Sequence, residues 1–273
     1  MVKILAIGDF HGKFPEKLKK EAKKADLVLC TGDFGGSDRL LKIIFKYFYQ
    51  DWTKVVGKKK TKQLVLEDYN SGKFILNQLS KLGKPVYIIP GNWDFEDKKK
   101  QRFGGLKLKK YSEIIKKLDN LYFINKKMKN ILGLEVYGFG GAITASIYLT
   151  KEGGFKDSKR RKYRKKHDRF EKQLFSKTSN KLDIFLAHYP PYGYFDIVKY
   201  KGENPMNGKH VGFQPYTDFI KRFHPKIFIC GHMHEYQGVK KLGKTTIIAT
   251  GSAKEGKAAI IEINKKIIIK LIK

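Results

Sequence analysis

The sequence predicts an α/β fold. Short, β-branched apolar runs alternate along the chain with longer polar segments, and in those segments apolar residues recur at three-to-four spacing. Metal-capable side chains also gather directly after the apolar runs, at the ends of strands where open α/β sheets bind their ligands.

The runs 2–7, 27–30, 86–89, 134–137, 184–187 and 227–230 read as buried strands, because an element covered on both faces loses its polar alternation. Between them, 13–24, 38–50, 71–82 and 112–118 carry apolar residues among lysines at helical spacing. Segment 53–62 is lysine-rich around Gly57 and is expected as a loop between helices. The last thirty residues follow a different pattern, in which 245–250, 258–263 and 267–272 succeed one another closely and Asn264-Lys265 reads as a turn. Antiparallel strands are therefore expected to finish the fold. No linker divides the chain, and residues 1–273 are read as a single domain with a basic insertion at about 148–181.

Composition removes several classes. With 41% hydrophobic and 13% aromatic residues the chain can build a core, which excludes disorder as its main state. Two cysteines, Cys30 and Cys230, cannot form a disulfide framework; each closes an apolar run and reads as a small buried residue in a reducing compartment. No run approaches the ~20 apolar residues of a membrane span. A cytoplasmic protein without a membrane partner is expected.

The formal charge of +32 points toward anionic partners. Arginine, the residue suited to gripping phosphate with two hydrogen bonds, supplies only seven of the 58 basic residues, and the lysines are scattered. A diffuse charged surface is one reading and a polyanion site the other. One segment is concentrated: Lys159-Arg160-Arg161-Lys162-Tyr163-Arg164-Lys165-Lys166-His167, with Arg169 beyond it. It reads as a solvated helix face or as a guide for a nucleic-acid substrate.

Five strand ends carry chemistry: Gly8-Asp9-Phe10-His11, Gly32-Asp33-Phe34-Gly35-Gly36, Gly91-Asn92-Trp93-Asp94, His188-Tyr189-Pro190-Pro191 and Gly231-His232-Met233-His234. On extended backbone, positions i and i+2 point the same way, so Asp9 with His11, and His232 with His234, can each pinch a cation. The preceding glycines permit sharp exits from the strands. Mixed imidazole and oxygen donors suit Mn²⁺, Fe or Zn²⁺ better than Mg²⁺ or Ca²⁺.

The order Asp-x-His, Gly-Asp-x-x-Gly, Gly-Asn-x-Asp, His, Gly-His-x-His resembles the calcineurin-like metallophosphoesterase superfamily, over positions 8–234. Lys209-His210-Val211-Gly212, Pro225, Glu235, Gly238, Gly243-Lys244-Thr245 and Gly251-Ser252 are similar to its branch of Icc-related predicted phosphoesterases. The resemblance implies a four-layer α-β-β-α sandwich with mixed sheets and two divalent metal ions, Mn foremost, with Fe, Zn or Ni as alternatives. One ion would be held by Asp9, His11, Asp33 and His234, the other by Asp33, Asn92, His188 and His232, with Asp33 as the bridge. It further implies phosphoester hydrolysis, of diesters more than monoesters, by in-line attack of a metal-bridging hydroxide, with Asn92 also among the catalytic residues. A nucleotide or nucleic acid fits the charge as substrate.

Trp93 departs from that pattern, since most members have a histidine there, oriented by the acid that follows. Trp cannot usefully give up a proton. The departure leaves Asp94 without its usual partner, gives Trp93 a substrate-contacting reading, and makes His210 a candidate for the missing catalytic role. It also opens a second class of function, a metal-binding scaffold or regulatory protein weakened in catalysis, beside a third, a nuclease using the basic segment. His167, His224, Asp38 and Asp97 read as structural or surface residues, and the aromatic run Phe45, Tyr47, Phe48, Tyr49, Trp52 as core or an oligomer contact. Pro190-Pro191-Tyr192-Gly193 is expected to fix the loop after His188.

Overall fold

Each apolar run becomes a strand, and the strands divide between two six-stranded sheets in the computed structural model, which describes residues 1–96, 105–176 and 181–273. In the first sheet, β1 (Val2–Ile7), β2 (Leu27–Cys30), β3 (Val86–Ile88) and β4 (Leu121–Phe123) run parallel. The second has β5 (Lys127–Ile131) antiparallel at one edge and β6 (Leu134–Phe139), β7 (Ile184–Ala187) and β8 (Ile227–Cys230) parallel inside. There β9 (Gly238–Leu242) forms the other edge, antiparallel to β10 (Thr245–Ala249), which lies parallel to β8. The chain then returns to the first sheet as the hairpin β11 (Ala258–Ile263) and β12 (Ile267–Ile272), with β11 antiparallel to β1.

Strand alternation builds the layers. In β1, Ile4 and Ala6 point toward the second sheet and meet Ile184, Leu186, Ile227 and Ile229, while Leu5 and Ile7 point the other way. That outer face is covered by α1 (Glu16–Lys24), α4 (Lys58–Ser80) and α5 (Tyr111–Ile115), which contribute Leu18, Ile75, Leu79 and Tyr111. Behind the second sheet, α6 (Asp157–Phe175) and α7 (Gln214–Phe223) bring Leu174, Tyr216, Phe219 and Ile220 onto Phe185 and Phe228. The result is a four-layer α-β-β-α sandwich. Two further helices, α2 (Asp38–Lys46) and α3 (Trp52–Val56), lie on the loop after β2.

Several local expectations are corrected. Segment 53–62 is helical: α3 and α4 meet at Gly57, whose φ of 78° breaks the helix between them. Thr61, Leu64, Val65 and Asp68 form the buried stripe of the early α4 turns, a spacing diluted by lysines and by the polar Thr and Asp. The expected helix 13–24 starts three residues late because Pro15 sits at its N-cap, and 38–50 stops at Lys46. β10 lies in the second sheet, between parallel β8 and antiparallel β9, so of the three closing strands only β11 and β12 pair with each other. The edge strands β4, β5 and β9 were not legible, being three residues long or lysine-rich and exposed. Cys30 and Cys230 are free and buried, as their context suggested. Asp97 lies outside the described residues. Among the described residues no helix is long and apolar enough to cross a membrane.

Candidate metal centre

The loops after β1, β2, β3, β7 and β8 leave the two sheets close together, and backbone hydrogen bonds fasten them. Asp9 N–H donates to Gly32 O at 2.9 Å, Phe10 and His11 N–H to Asp33 O at 2.9 and 3.2 Å, and Gly12 N–H to Phe34 O at 2.9 Å. Across the sheets, His232 N–H donates to the Asp9 carboxylate at 3.0 and 3.1 Å to its two oxygens. Asp9, His11, Asp33 and His232 all have positive φ, at 56°, 43°, 58° and 69°. Non-glycine residues persist there only where their surroundings hold them, at about 1–3 kcal/mol each. Two glycines are required by close approach: a Cβ at Gly91 would collide with the Asp33 carboxylate, and one at Gly231 with that of Asp9.

These loops bring all seven motif side chains together. Asp9, His11 and His234 form one group and Asp33, His188 and His232 another, each with ligand-capable atoms within 4.8 Å of one another. His11 Nε2 faces His234 Nε2 at 2.9 Å, and His234 Nε2 lies 3.4 Å from Asp9 Oδ1. In the second group His188 Nε2 lies 2.8 Å from Asn92 Oδ1 and 3.3 Å from Asp33 Oδ2. Asp33 Oδ2 also lies 4.0 Å from His11 Nε2, so this carboxylate stands between the groups. It is buried and accepts no hydrogen bond, while Oδ1 accepts from Trp93 N–H at 2.8 Å. A buried carboxylate oxygen with no donor, facing imidazole nitrogens, is the arrangement a cation would complete.

The outer nitrogens agree with that. His188 Nδ1 lies 2.8 Å from Thr31 O and His11 Nδ1 3.1 Å from Gly35 O. A carbonyl only accepts, so both Nδ1 atoms carry a proton and both Nε2 atoms face the centre; neutral His11 offers its Nε2 lone pair there, whereas His188, held cationic by Asp33, would have to release its Nε2 proton to an incoming ion. Burial is the largest influence on every ionisable group here. It takes His11 down to about 4 and His232 to about 3, with the neighbouring imidazoles His234 and His188 acting in the same direction. Burial also opposes a charged His188, but Asp33 outweighs it and the pKa stands at about 9. For Asp9 and Asp33, burial pushes up while His234 and His188 pull down more strongly, and both end below the carboxylate range.

Asp94, with Trp93 in place of its usual histidine partner, is engaged by backbone amides. Its carboxylate accepts the N–H groups of Gly91 at 2.7 Å, Asp33 at 2.8 Å and Phe34 at 2.9 Å. It thereby clamps the loop after β2 to the loop after β3. Burial first, then the charge of Asp33, still raises it to about 7. The Trp93 ring lies edge-on to His11, with centroids 6.2 Å apart.

A cavity of about 760 Å³ opens at the centre, with Asp33, Asn92, Trp93, His232 and His234 in its walls. His210 is not among them: its Nδ1 lies 2.9 Å from Asp196 Oδ1, and it lines a separate cavity of about 610 Å³ with Arg164, His167 and Lys209. The basic segment forms the middle of α6, with Arg161, Lys162, Arg164 and Lys165 exposed, and no residue of that helix lines the larger cavity. His167 is buried against Phe213, a packing role. Phe45 and Phe48, expected in a core or an oligomer contact, wall the larger cavity, and Phe48 also packs against a buried apolar cluster. Sequence reasoning missed Thr31, which orients His188, and Ser252, whose Oγ donates to Asp9 O at 3.0 Å. Thr31 immediately precedes Gly32-Asp33, and Ser252 lies within the Gly251-Ser252 pair, so each stood beside a visible motif.

Comparison with known proteins agrees with this geometry. An uncharacterized protein of Methanocaldococcus jannaschii is 23% identical over 252 residues, covering 90% of this chain and 87% of its own. The phosphopantetheinyl hydrolase of Mycobacterium tuberculosis superposes with a TM-score of 0.54 at 10% identity, over 93% of this chain and 90% of that one. A Thermus thermophilus protein, TT1561, does so with a TM-score of 0.51 at 17% identity, over 100% and 99%. At such identities the two structures speak for the fold alone. The model of the calcineurin-like phosphoesterases, a metal-dependent family, matches residues 2–236, which takes in every strand end described above, and the chain belongs to that family.

Proposed function

We propose that the protein is a dinuclear metal-dependent phosphoesterase acting on diesters more than monoesters. The observation that carries this reading is the buried, undonated Oδ2 of Asp33, standing between two groups of imidazole and carboxylate ligands. Asp9, His11, Asp33 and His234 would hold one ion and Asp33, Asn92, His188 and His232 the other. Such ions, when bound, neutralise charge on phosphoryl oxygens and supply a nucleophile from water at neutral pH. Mn²⁺ is the ion proposed first, with Fe, Zn²⁺ or Ni²⁺ as competitors; a donor set of imidazole with carboxylate and amide oxygen accommodates all four.

The chain's own part is preorganisation. Thr31 O and Gly35 O fix two imidazoles with Nε2 inward, the three amides on Asp94 hold the Asp33 and Asn92 loops in register, and Trp93 N–H fixes Asp33 Oδ1. The Trp93 ring would contact the substrate. Since Trp93 offers no transferable proton, esters with good leaving groups are the ones this site turns over fastest.

The test is hydrolysis of bis-p-nitrophenyl phosphate by metal-stripped protein with and without Mn²⁺, beside His232→Ala. Mn²⁺-dependent turnover that disappears in the variant supports the reading. A second reading, a metal-binding scaffold without catalysis, draws on the engagement of Asp94 by backbone and on Trp93; two bound ions with no turnover would favour it.

A further inference from the structure

Resting on that reading, we infer that the ester taken by this site carries a bulky apolar group, a long-chain or bulky aliphatic alcohol joined to phosphate. The inference begins with α2. Leu41, Ile44 and Phe45 fall at i, i+3 and i+4 of α2, the spacing of an amphipathic stripe that ordinarily faces a core, and Phe48 in the turn beyond Lys46 extends it. Of helix α2 only Leu40 is buried. The stripe stands half-exposed along the cavity that contains Asp33, Asn92, His232 and His234.

The rest of the lining is largely apolar as well. Val198, Met206, Val211 and Met233 belong to a cluster distinct from the three cores between the sandwich's layers, assembled from loops, with Phe48, Tyr148 and Tyr200 packed against it. Outside the four metal-facing residues, twelve of the remaining eighteen lining residues are aliphatic or aromatic. At about 760 Å³ the space is of the size that encloses whole small-molecule ligands. An apolar wall continuous with a phosphoryl site fits one molecule with a phosphate at one end and hydrocarbon at the other. Lys199 and Lys201 in the lining suit its anionic character, while Lys257 is paired with Glu255 at 2.6 Å.

A nucleoside fits the same walls less well. Reading a base needs unengaged polar groups, yet Glu235 Oε1 accepts Lys199 N–H at 3.0 Å and Asn204 Oδ1 accepts Met206 N–H at 2.9 Å. Phe45 meets Tyr200 and Phe48 meets Tyr148 at 67°, so neither pair offers two parallel faces between which a base could slide.

The experiment uses p-nitrophenyl alkyl phosphates with methyl, butyl and octyl groups, so that the leaving group is constant, beside thymidine 5′-p-nitrophenyl phosphate. Each methylene the cavity fully buries is worth about fourfold. In the Mn²⁺-loaded protein kcat/KM is expected to rise at least about a hundredfold from methyl to octyl. A flat series, or preference for the thymidine ester over the octyl ester, overturns the inference. Binding is read separately on metal-free protein, from displacement of 1-anilinonaphthalene-8-sulfonate by octylphosphonate and methylphosphonate. Octylphosphonate is expected to displace the dye and methylphosphonate not. Ile44→Asn and Phe45→Ser, made singly on the half-exposed face and checked for native melting, are each expected to weaken octylphosphonate at least tenfold and to compress the octyl-to-methyl ratio. Unchanged binding in both refutes the assignment to α2. No hydrolysis of any ester, with octylphosphonate still bound, would sink the catalytic reading and leave the apolar site standing; hydrolysis without length dependence or dye displacement would do the reverse.

Discussion

Replacing Asp94 by Asn tests whether this carboxylate is the clamp between the β2 and β3 loops. Three N–H groups converge on it, Gly91 and Asp33 on one oxygen and Phe34 on the other. Asn keeps one acceptor oxygen. In its better orientation it serves Gly91 and Asp33 and turns its amide hydrogens toward the Phe34 N–H, which is left buried without an acceptor. A lost hydrogen bond to a charged group is worth about 1.5–3 kcal/mol. The entropy of unfolding of a chain of 273 residues is about 0.6 kcal/mol per degree. The expected fall in Tm is therefore about 3–5 °C for Asp94→Asn. For Asp94→Ala all three donors are orphaned, at about 1–3 kcal/mol each, and the fall grows to about 5–15 °C. Circular dichroism melts at fixed pH measure both, and Mn²⁺ titration of the same samples reads whether Asp33 and Asn92 remain in place. An Asp94→Asn protein that melts within a degree of the parent, or an Ala variant no worse than Asn, would refute the clamp.

Metal removal is expected to lower Tm by about 5 °C for each site that had been saturated at a hundred times its Kd, and Asp33→Asn to abolish most of the recovery on adding Mn²⁺; differential scanning fluorimetry with a chelator measures both. Trp93→His is expected to raise hydrolysis of an ester with an alkyl leaving group at least tenfold while p-nitrophenyl esters change little, because only the poor leaving group needs a proton. Equal gains on both substrates would argue that Trp93 acts by bulk alone. Reversing the charge of Arg160, Arg161 and Arg164 together is expected to leave bis-p-nitrophenyl phosphate turnover within about twofold, since α6 does not line the cavity and exposed charges are screened beyond about 10 Å. A loss of tenfold or more would place that helix at the active site after all.

The central strands and the five motif-bearing turns were legible because both are dictated locally: strands covered on both faces must be apolar, and metal-capable side chains at strand ends keep their spacing. What the sequence hid is what tertiary contacts decide. The clamp role of Asp94 was hidden because its partners are backbone amides from Asp33, Phe34 and Gly91, which carry no side-chain signature. His210 matched a branch motif, yet its placement depends on Asp196, a residue no motif singles out. Phe45 and Phe48 show the same limit: an amphipathic stripe announces that a face is covered or lines something apolar, and only the three-dimensional arrangement says which.

Each ligand group draws on both sheets. Asp9 and His11 follow β1 and Asp33 follows β2, whereas His188 follows β7, and His232 and His234 follow β8. A metal ion held by either group is therefore a cross-link between two sheets that otherwise adhere through Ile4, Leu29, Ile184, Ile229 and their neighbours. Any metal-free chain in which that apolar seam is parted has no site, and the apparent affinity for the ion falls by that fraction. By the same linkage, the ion tightens the seam. Metal affinity in this protein thus doubles as a gauge of how firmly its two halves are docked, and a substitution deep between the sheets, far from every ligand, can register as a weaker metal site.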